Sequence, residues 1–226
     1  AFTRHNRIDR QVLGDPVAPL GIISTGKSYL DVRRALVEIG IDESRAKALG
    51  VKLYKVGMPW PLEPDGLRDF AKGTRKLILV EEKRGLMEEQ VRNLLYGVTD
   101  SPEVIGKTDE TGAVLFQVYG RLDAAQIATA IGDRLVDLTH DDTLIGALKH
   151  LRARSEKADL KEAPMRRTPY FCAGCPHNTS TLVPEGSRAL AGIGCHYMAQ
   201  WMDRETATFT QMGGEGASWI GESPFS

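Results

Sequence analysis

Three short apolar runs, each followed by a stretch of helical periodicity, do most to limit what this chain can fold into. LGIIST (Leu20–Thr25) is apolar and β-branched and is ended by Gly26, VKLYKVG covers 51–57, and KLILVEE covers 76–82 and is the clearest of the three. Runs this short, without strict alternation, read as strands buried on both faces. After the first, SYLDVRRALVEIG repeats Leu30, Ala35, Leu36, Val37 and Ile39 at helical spacing, and Gly40 closes the segment as a C-terminal cap. A second helix is predicted over 42–49 with Asp42 as N-cap, and a third over 66–71 after the proline-rich loop MPWPLEPDG. GLMEEQVRNLLYG reads as a helix with Leu86, Val91, Leu94 and Leu95 on one side; a short strand near Val104 and helices over 124–138 and 143–155 complete the unit. Strands alternating with helices predict an α/β fold, a mostly parallel sheet with helices on both faces, preceded by a polar, Arg-rich leader.

The boundary of that unit is expected in SEKADLKEAPMRRTP, which is charged, carries two prolines and lacks apolar periodicity. This divides the chain into 1–160 and 161–226. From Pro169 onward, small residues, Gly, Cys, His and Ser dominate and helix or strand signals are weak. Too few residues follow Thr168 for an independent α/β domain, so the chain is expected to be an internal piece of a longer polypeptide. Lys plus Arg number 29 against 30 Asp plus Glu, a net charge of -1, which offers no basic footprint for nucleic acid. No run approaches the ~18 apolar residues of a membrane span, and AFTRHNRIDR has no signal-peptide region, so a soluble, cytoplasmic protein is expected.

The chemistry-bearing residues gather late in the chain. FCAGCPHNTST (171–181) and GIGCHYM (192–198) hold all three cysteines, in the pattern Cys172-x2-Cys175 and then Cys195. An odd, clustered set is a poor disulfide framework and points to metal or redox chemistry. A CxxC turn lets two thiolates converge on one metal atom or cluster edge, and a third thiol flanked by Gly192 and Gly194 can approach from a second loop. Zinc and iron–sulfur clusters both take four ligands, and His177 or His196 would complete a Cys3His zinc site. Buried structural thiols and a redox-active dithiol stay open on spacing alone, although a dithiol enzyme would want a βαβ context around Cys172 where the sequence shows a linker. GIGCH and QMGGEGA are glycine-rich loops that let backbone N–H groups approach phosphate oxygens; a tight turn is the plainer reading of each alone. Glu81, Glu82 and Lys83 read as a solvated strand end, and Trp60 between two prolines as an interface-packing residue.

Together, FCAGCPHNTST, GIGCHYM and TQMGGEGASWIG resemble the thiamine-diphosphate-binding part of 2-oxoacid:ferredoxin oxidoreductases, and most closely the fused bacterial indolepyruvate ferredoxin oxidoreductases. NRID, GIISTGKSYLDVRRAL, KVGMPWPLEPDGL and LILVEEKRGLMEEQVRNLLYG look like the domain that precedes it, whose fold is similar to the C-terminal domain of transketolase. The resemblance covers nearly the whole chain. It implies that 161–226 begin an incomplete thiamine-diphosphate-binding α/β domain, and that Cys172, Cys175 and Cys195 are three of four thiolate ligands of a four-iron, four-sulfur cluster, the fourth lying downstream. It also implies that His177 lies close to cofactor and cluster, that Gly194 and His196 approach the thiamine diphosphate, and that Gly213, Gly214, Glu215 and Gly216 line it at a helix start. The magnesium ligands are expected beyond Ser226, and no catalytic residue is assigned. The implied reaction is oxidative decarboxylation of an aryl 2-oxo acid to acyl-coenzyme A, with electrons passed to ferredoxin, by a homo-oligomeric parent whose other domains this stretch would need for activity. The rival is an α/β regulatory or interaction module with a Cys3His zinc site.

Overall fold

The computed structural model describes residues 2–159 and 167–225, apart from the side chains of 157–159. Two compact units divide it, Ala1–Lys161 and Glu162–Ser226.

In the first unit, five strands form one sheet in the order β1-β3-β2-β4-β5: β1 (Arg10–Leu13), β2 (Leu20–Thr25), β3 (Val51–Val56), β4 (Lys76–Val80) and β5 (Glu103–Ile105). The central β2 pairs in parallel with β3 on one side, Ile22 opposite Leu53, and with β4 on the other, Ile22 opposite Ile78. β5 extends the parallel ladder and β1 runs antiparallel along the outer edge of β3. The sheet is therefore mostly parallel, as expected. β1 falls inside the stretch read as a polar leader, because a four-residue edge strand with Arg10 and Gln11 at its start shows no apolar run.

Alternation along each strand explains why the apolar runs look continuous. Leu77 and Leu79 face one layer while Ile78 and Val80 face the other, all at most 1% exposed. On one side Ile22, Leu53 and Ile78 pack against α2 (Gly26–Glu38), α3 (Glu43–Leu49), α6 (Ala124–Thr139) and α7 (Asp142–Asp159). On the other, Ile23, Leu77 and Leu79 pack against α4 (Pro64–Ala71) and α5 (Leu86–Leu95), so helices do cover both faces. Each buried Leu or Ile contributes about 1.5–3 kcal/mol, so this double layer dominates the unit's stability. Gly21 is part of the geometry, since a Cβ there would lie 2.6 Å from Leu77 and 3.1 Å from the Phe70 ring. A short α1 (Phe2–His5) precedes the sheet, and Asp9 of the NRID stretch accepts from the Gly57 and Met58 N–H groups, tying that leader to the end of β3.

Helix ends follow local chemistry. Asp42 accepts from the Arg45 N–H and caps α3 as predicted, and Asp123 makes a reciprocal capping box with Gln126 on α6. α4 starts earlier than predicted because the Glu63 carboxylate takes the N–H groups of Asp65 and Gly66, with Pro64 in the first turn. α5 is rotated from its predicted phase: Met87, Glu88, Val91 and Leu95 face inward while Leu86 is 46% exposed. The expected linker also starts late, because its first residues belong to α7, which runs to Asp159; its middle, 160–166, lies outside the described residues. Among the described residues no helix is long and apolar enough to cross a membrane.

The second unit is built of short pieces: α8 (His177–Ser180), a parallel pair β6 (Ala189–Ala191) and β7 (Thr206–Phe209), a 3-10 helix (Gly194–Trp201), and α9 (Ala217–Glu222) with a final 3-10 turn.

Candidate functional site

The thiol-bearing loops are shaped from the backbone outward. The Cys172–Cys175 turn is closed by the Cys175 N–H donating to the Cys172 carbonyl at 3.0 Å, and Gly174 takes the left-handed conformation the turn needs, φ 74°. Pro176 then starts α8, and the Asn178 side chain donates back to the Cys172 carbonyl at 3.0 Å. In the second loop Gly194, φ 66°, turns the chain into the 3-10 helix that carries Cys195 and His196.

Cys175 Sγ lies 3.2 Å from His177 Nδ1, and the His177 ring stacks on buried Phe171 with centroids 5.2 Å apart. The His196 ring is 6.0 Å from that of His177, and its Nδ1 accepts the Gly192 N–H at 2.5 Å, which puts the proton of a neutral His196 on Nε2. Arg204 donates to the Asn178 carbonyl at 2.9 Å and lies 5.9 Å above the Phe171 ring. The structure thus brings Cys175, His177 and His196 together.

Cys172 and Cys195 are exposed, all three cysteines are free, and no group of three or more His, Cys, Asp or Glu side chains among the described residues is gathered as a metal would require. In donor chemistry the site fits an iron–sulfur cluster, with three unpaired thiols on two glycine turns. In arrangement the thiols do not share one point. Further along, Glu215 Oε2 accepts the Gly213 N–H at 2.8 Å and Thr210 donates to the Gly214 carbonyl at 2.6 Å. Gly216, φ 80°, is the N-cap of α9, so the glycine run does lead into a helix, and Glu215 is turned back onto its own loop.

In the first unit, one expectation is overturned. Glu81 is 6% exposed and accepts the Met87 and Glu88 N–H groups, each at 2.9 Å, so it caps α5 from the end of β4 and is no solvated strand end. Burial pushes its carboxyl above the ordinary range, against those two backbone hydrogen bonds. Lys107 Nζ donates to the Glu81 carbonyl at 2.5 Å, and burial pushes that amine down. Glu88, also buried, joins α5 to the β5 loop by accepting from Arg92 and from the Lys107 N–H at 2.7 Å. Only burial distinguishes Glu81 from Glu82, a property that a run of two glutamates at a strand end does not encode. The chain leaves β2 in opposite directions on its two sides, so the carboxyl ends of β2 and β4 frame the position where ligands bind in open parallel sheets. There Lys27 pairs with Asp31 at 2.7 Å and Glu82 at 3.1 Å, closing the position with the protein's own charges. A cleft of about 550 Å³ lies elsewhere, bordered by Arg4, Asp69, Lys72 and Asp100, and its charges are largely paired with one another.

An open α/β sheet unit followed by a glycine-rich unit bearing three free thiols defines the class: a two-unit α/β protein. The family model described as the indolepyruvate oxidoreductase domain matches residues 10–159, and the chain belongs to that family. It is 28% identical over 207 residues to the indolepyruvate oxidoreductase subunit IorA of Pyrococcus horikoshii, covering 89% of this chain and 29% of the relative. To the IorA subunits of Thermococcus kodakarensis and Archaeoglobus fulgidus it is 28% and 29% identical, covering 81% and 78% of this chain and 26% of each relative. The chain spans under a third of the length of these curated relatives. Among solved structures, a 2-oxoglutarate:ferredoxin oxidoreductase from Magnetococcus marinus with 2-oxoglutarate, coenzyme A and succinyl-CoA bound matches 59% of this chain and 22% of its own, at 17% identity and TM-score 0.37. A split-gene transketolase, an inactive β4 tetramer, matches 57% of this chain and 42% of its own, at 18% identity and TM-score 0.38. Likenesses of this size decide nothing beyond themselves.

Proposed function

We propose that this chain is part of an indolepyruvate ferredoxin oxidoreductase, which oxidatively decarboxylates an aryl 2-oxo acid, passes the acyl group to coenzyme A and delivers the electrons to ferredoxin. The observation that carries this reading is the set of three free thiols on two glycine turns in a member of the indolepyruvate oxidoreductase domain family. When bound, thiamine diphosphate supplies the electron sink for decarboxylation, and an iron–sulfur cluster accepts electrons singly.

Cys172, Cys175 and Cys195 would hold the cluster as thiolates. Gly194 and His196 would face the thiamine diphosphate, with the His196 Nε2–H free to donate because Nδ1 is occupied by the Gly192 N–H. Gly213, Gly214, Glu215 and Gly216 would line the same cofactor, the Glu215 carboxylate holding its loop in shape through Gly213. No residue of this chain is assigned to magnesium. The other domains of a longer, cytoplasmic, homo-oligomeric polypeptide would supply the remaining ligands, and this stretch alone is expected to be inactive.

A Cys3His zinc site in an interaction module is the second reading, favoured by the His177 ring lying against Cys175. Visible absorption with iron and sulfide analysis separates the two, on the complete polypeptide containing this chain and on its Cys172→Ala/Cys175→Ala/Cys195→Ala form. A broad band near ~400 nm that the triple substitution abolishes, with indolepyruvate-dependent reduction of ferredoxin, is the expected result. Zinc without iron in the unsubstituted protein overturns it in favour of the zinc site.

A further inference from the structure

We propose that His177 is a positioning residue for the cluster: its Nδ1–H donates to the sulfur of Cys175 and so raises the cluster's reduction potential. The inference rests on the cluster reading above and adds to it the role of a side chain that the sequence placed only as near cofactor and cluster.

The geometry is specific to one sulfur. Nδ1 of His177 is 3.2 Å from Cys175 Sγ, within range for a hydrogen bond to sulfur. The ring has little freedom to leave, because it stacks on Phe171 at an interplanar angle of 25°, and Phe171 is only 6% exposed. Its backbone is held as well, since Thr181 Oγ1 donates to the His177 carbonyl at 2.6 Å and the Asn178 side chain ties the next residue to Cys172. A metal-bound cysteine sulfur carries no proton and can only accept, so the shared proton belongs to Nδ1 of His177. His196 takes the opposite tautomer, because its Nδ1 accepts a backbone N–H. Both imidazoles therefore turn Nδ1 toward their loops, His196 as an acceptor from a backbone N–H and His177 as a donor to a thiol. An electron added to the cluster places more negative charge on its sulfurs, and an N–H dipole aimed at one of them stabilises that reduced form.

The test is a dye-mediated redox titration, with iron counted per chain, on the complete polypeptide loaded anaerobically with iron and sulfide. His177→Phe keeps a ring to stack on Phe171 and removes the donor; His177→Asn keeps a side-chain N–H near the position of Nδ1 and loses the stack. The expected result is full iron in both variants, a roughly tenfold shift of the one-electron equilibrium toward the oxidised cluster in His177→Phe, about 59 mV lower in potential, and near-complete recovery in His177→Asn. Unchanged potentials at full iron, or equal shifts in both variants, overturn the inference and leave the cluster reading standing. If His177→Phe takes up no iron, His177→Asn decides alone: a native potential supports the donor, a lowered one overturns it. Absence of iron from the unsubstituted protein overturns both the cluster reading and this inference.

Discussion

The two units of this chain solve burial differently. In the first, Leu20, Ile22, Leu53, Leu77 and Ile78 are fully buried between two helical layers, and polar ends are closed by the protein's own carboxylates at Asp42, Glu63, Glu81 and Asp123. In the second, Phe171, Thr181, Ala191 and Ala199 are the buried residues among those described, while Trp201, Phe209, Met212, Trp219 and Ile220 are 48–78% exposed. Its two strands make a parallel pair, an arrangement that elsewhere is covered on both faces. The first unit is held by its own packing, and the second presents its three free thiols on short turns held by hydrogen bonds and ring stacking.

The largest effect should mark that contrast directly. Ile78→Ala is expected to cost about 2–5 kcal/mol in urea unfolding followed by far-ultraviolet circular dichroism, whereas Ile220→Ala, at a 76% exposed position, should cost under ~0.5 kcal/mol. Equal costs would break the comparison, because they would mean that Ile220 is buried against something in solution.

Next comes the one fully buried lysine of β3. Lys52 donates to the Pro16 carbonyl at 2.7 Å and the Lys72 carbonyl at 3.3 Å and lies 4.7 Å from the Phe70 centroid, and burial lowers its amine from 10.5 to about 8. Between those values the unfolded chain holds the proton and the folded chain has released it, so stability rises with pH across that window. The gain in wild type over Lys52→Met should approach about 3 kcal/mol between pH 8 and 10.5, read as the difference in urea midpoints at each pH. Parallel curves for the two proteins would show that Lys52 is hydrated and the sheet less closed than its packing implies.

Glu81→Ala sharpens the comparison at a polar closure. It strips two N–H groups of α5 of their acceptor inside the unit, for an expected loss of about 1–3 kcal/mol. A loss confined to faster hydrogen exchange in 86–95, with global stability unchanged, would place the cap outside the cooperative core. Within the first unit the smallest loss is expected from Asp42→Ala, about 1 kcal/mol from one lost cap in thermal unfolding.

Much of the first unit was legible because its strands are buried on both faces, so the runs 20–25, 51–56 and 76–80 announce themselves without neighbours. The antiparallel β1 was not legible, since an edge strand beginning with Arg10 and Gln11 carries no apolar signal, and its place is decided by the free edge of β3. Nor was the inward turn of Glu88, because a glutamate on a helix reads as outward until the Lys107 N–H and Arg92 appear beside it. In the candidate site the spacing of Cys172, Cys175 and Cys195 singled out the candidate thiols, while their exposure and the contact of Cys175 with His177 are tertiary facts.

Sequence alone determined the alternation of elements, the two-faced burial of the parallel strands and the clustering of the three cysteines, because each depends on residue type at short range. Strand order, the closure of the β2 and β4 ends by Lys27 and Glu82, and the pairing of one imidazole with one sulfur were decided only by the tertiary structure. Those features join residues distant in sequence or depend on which face turns inward, and a one-dimensional pattern leaves both free.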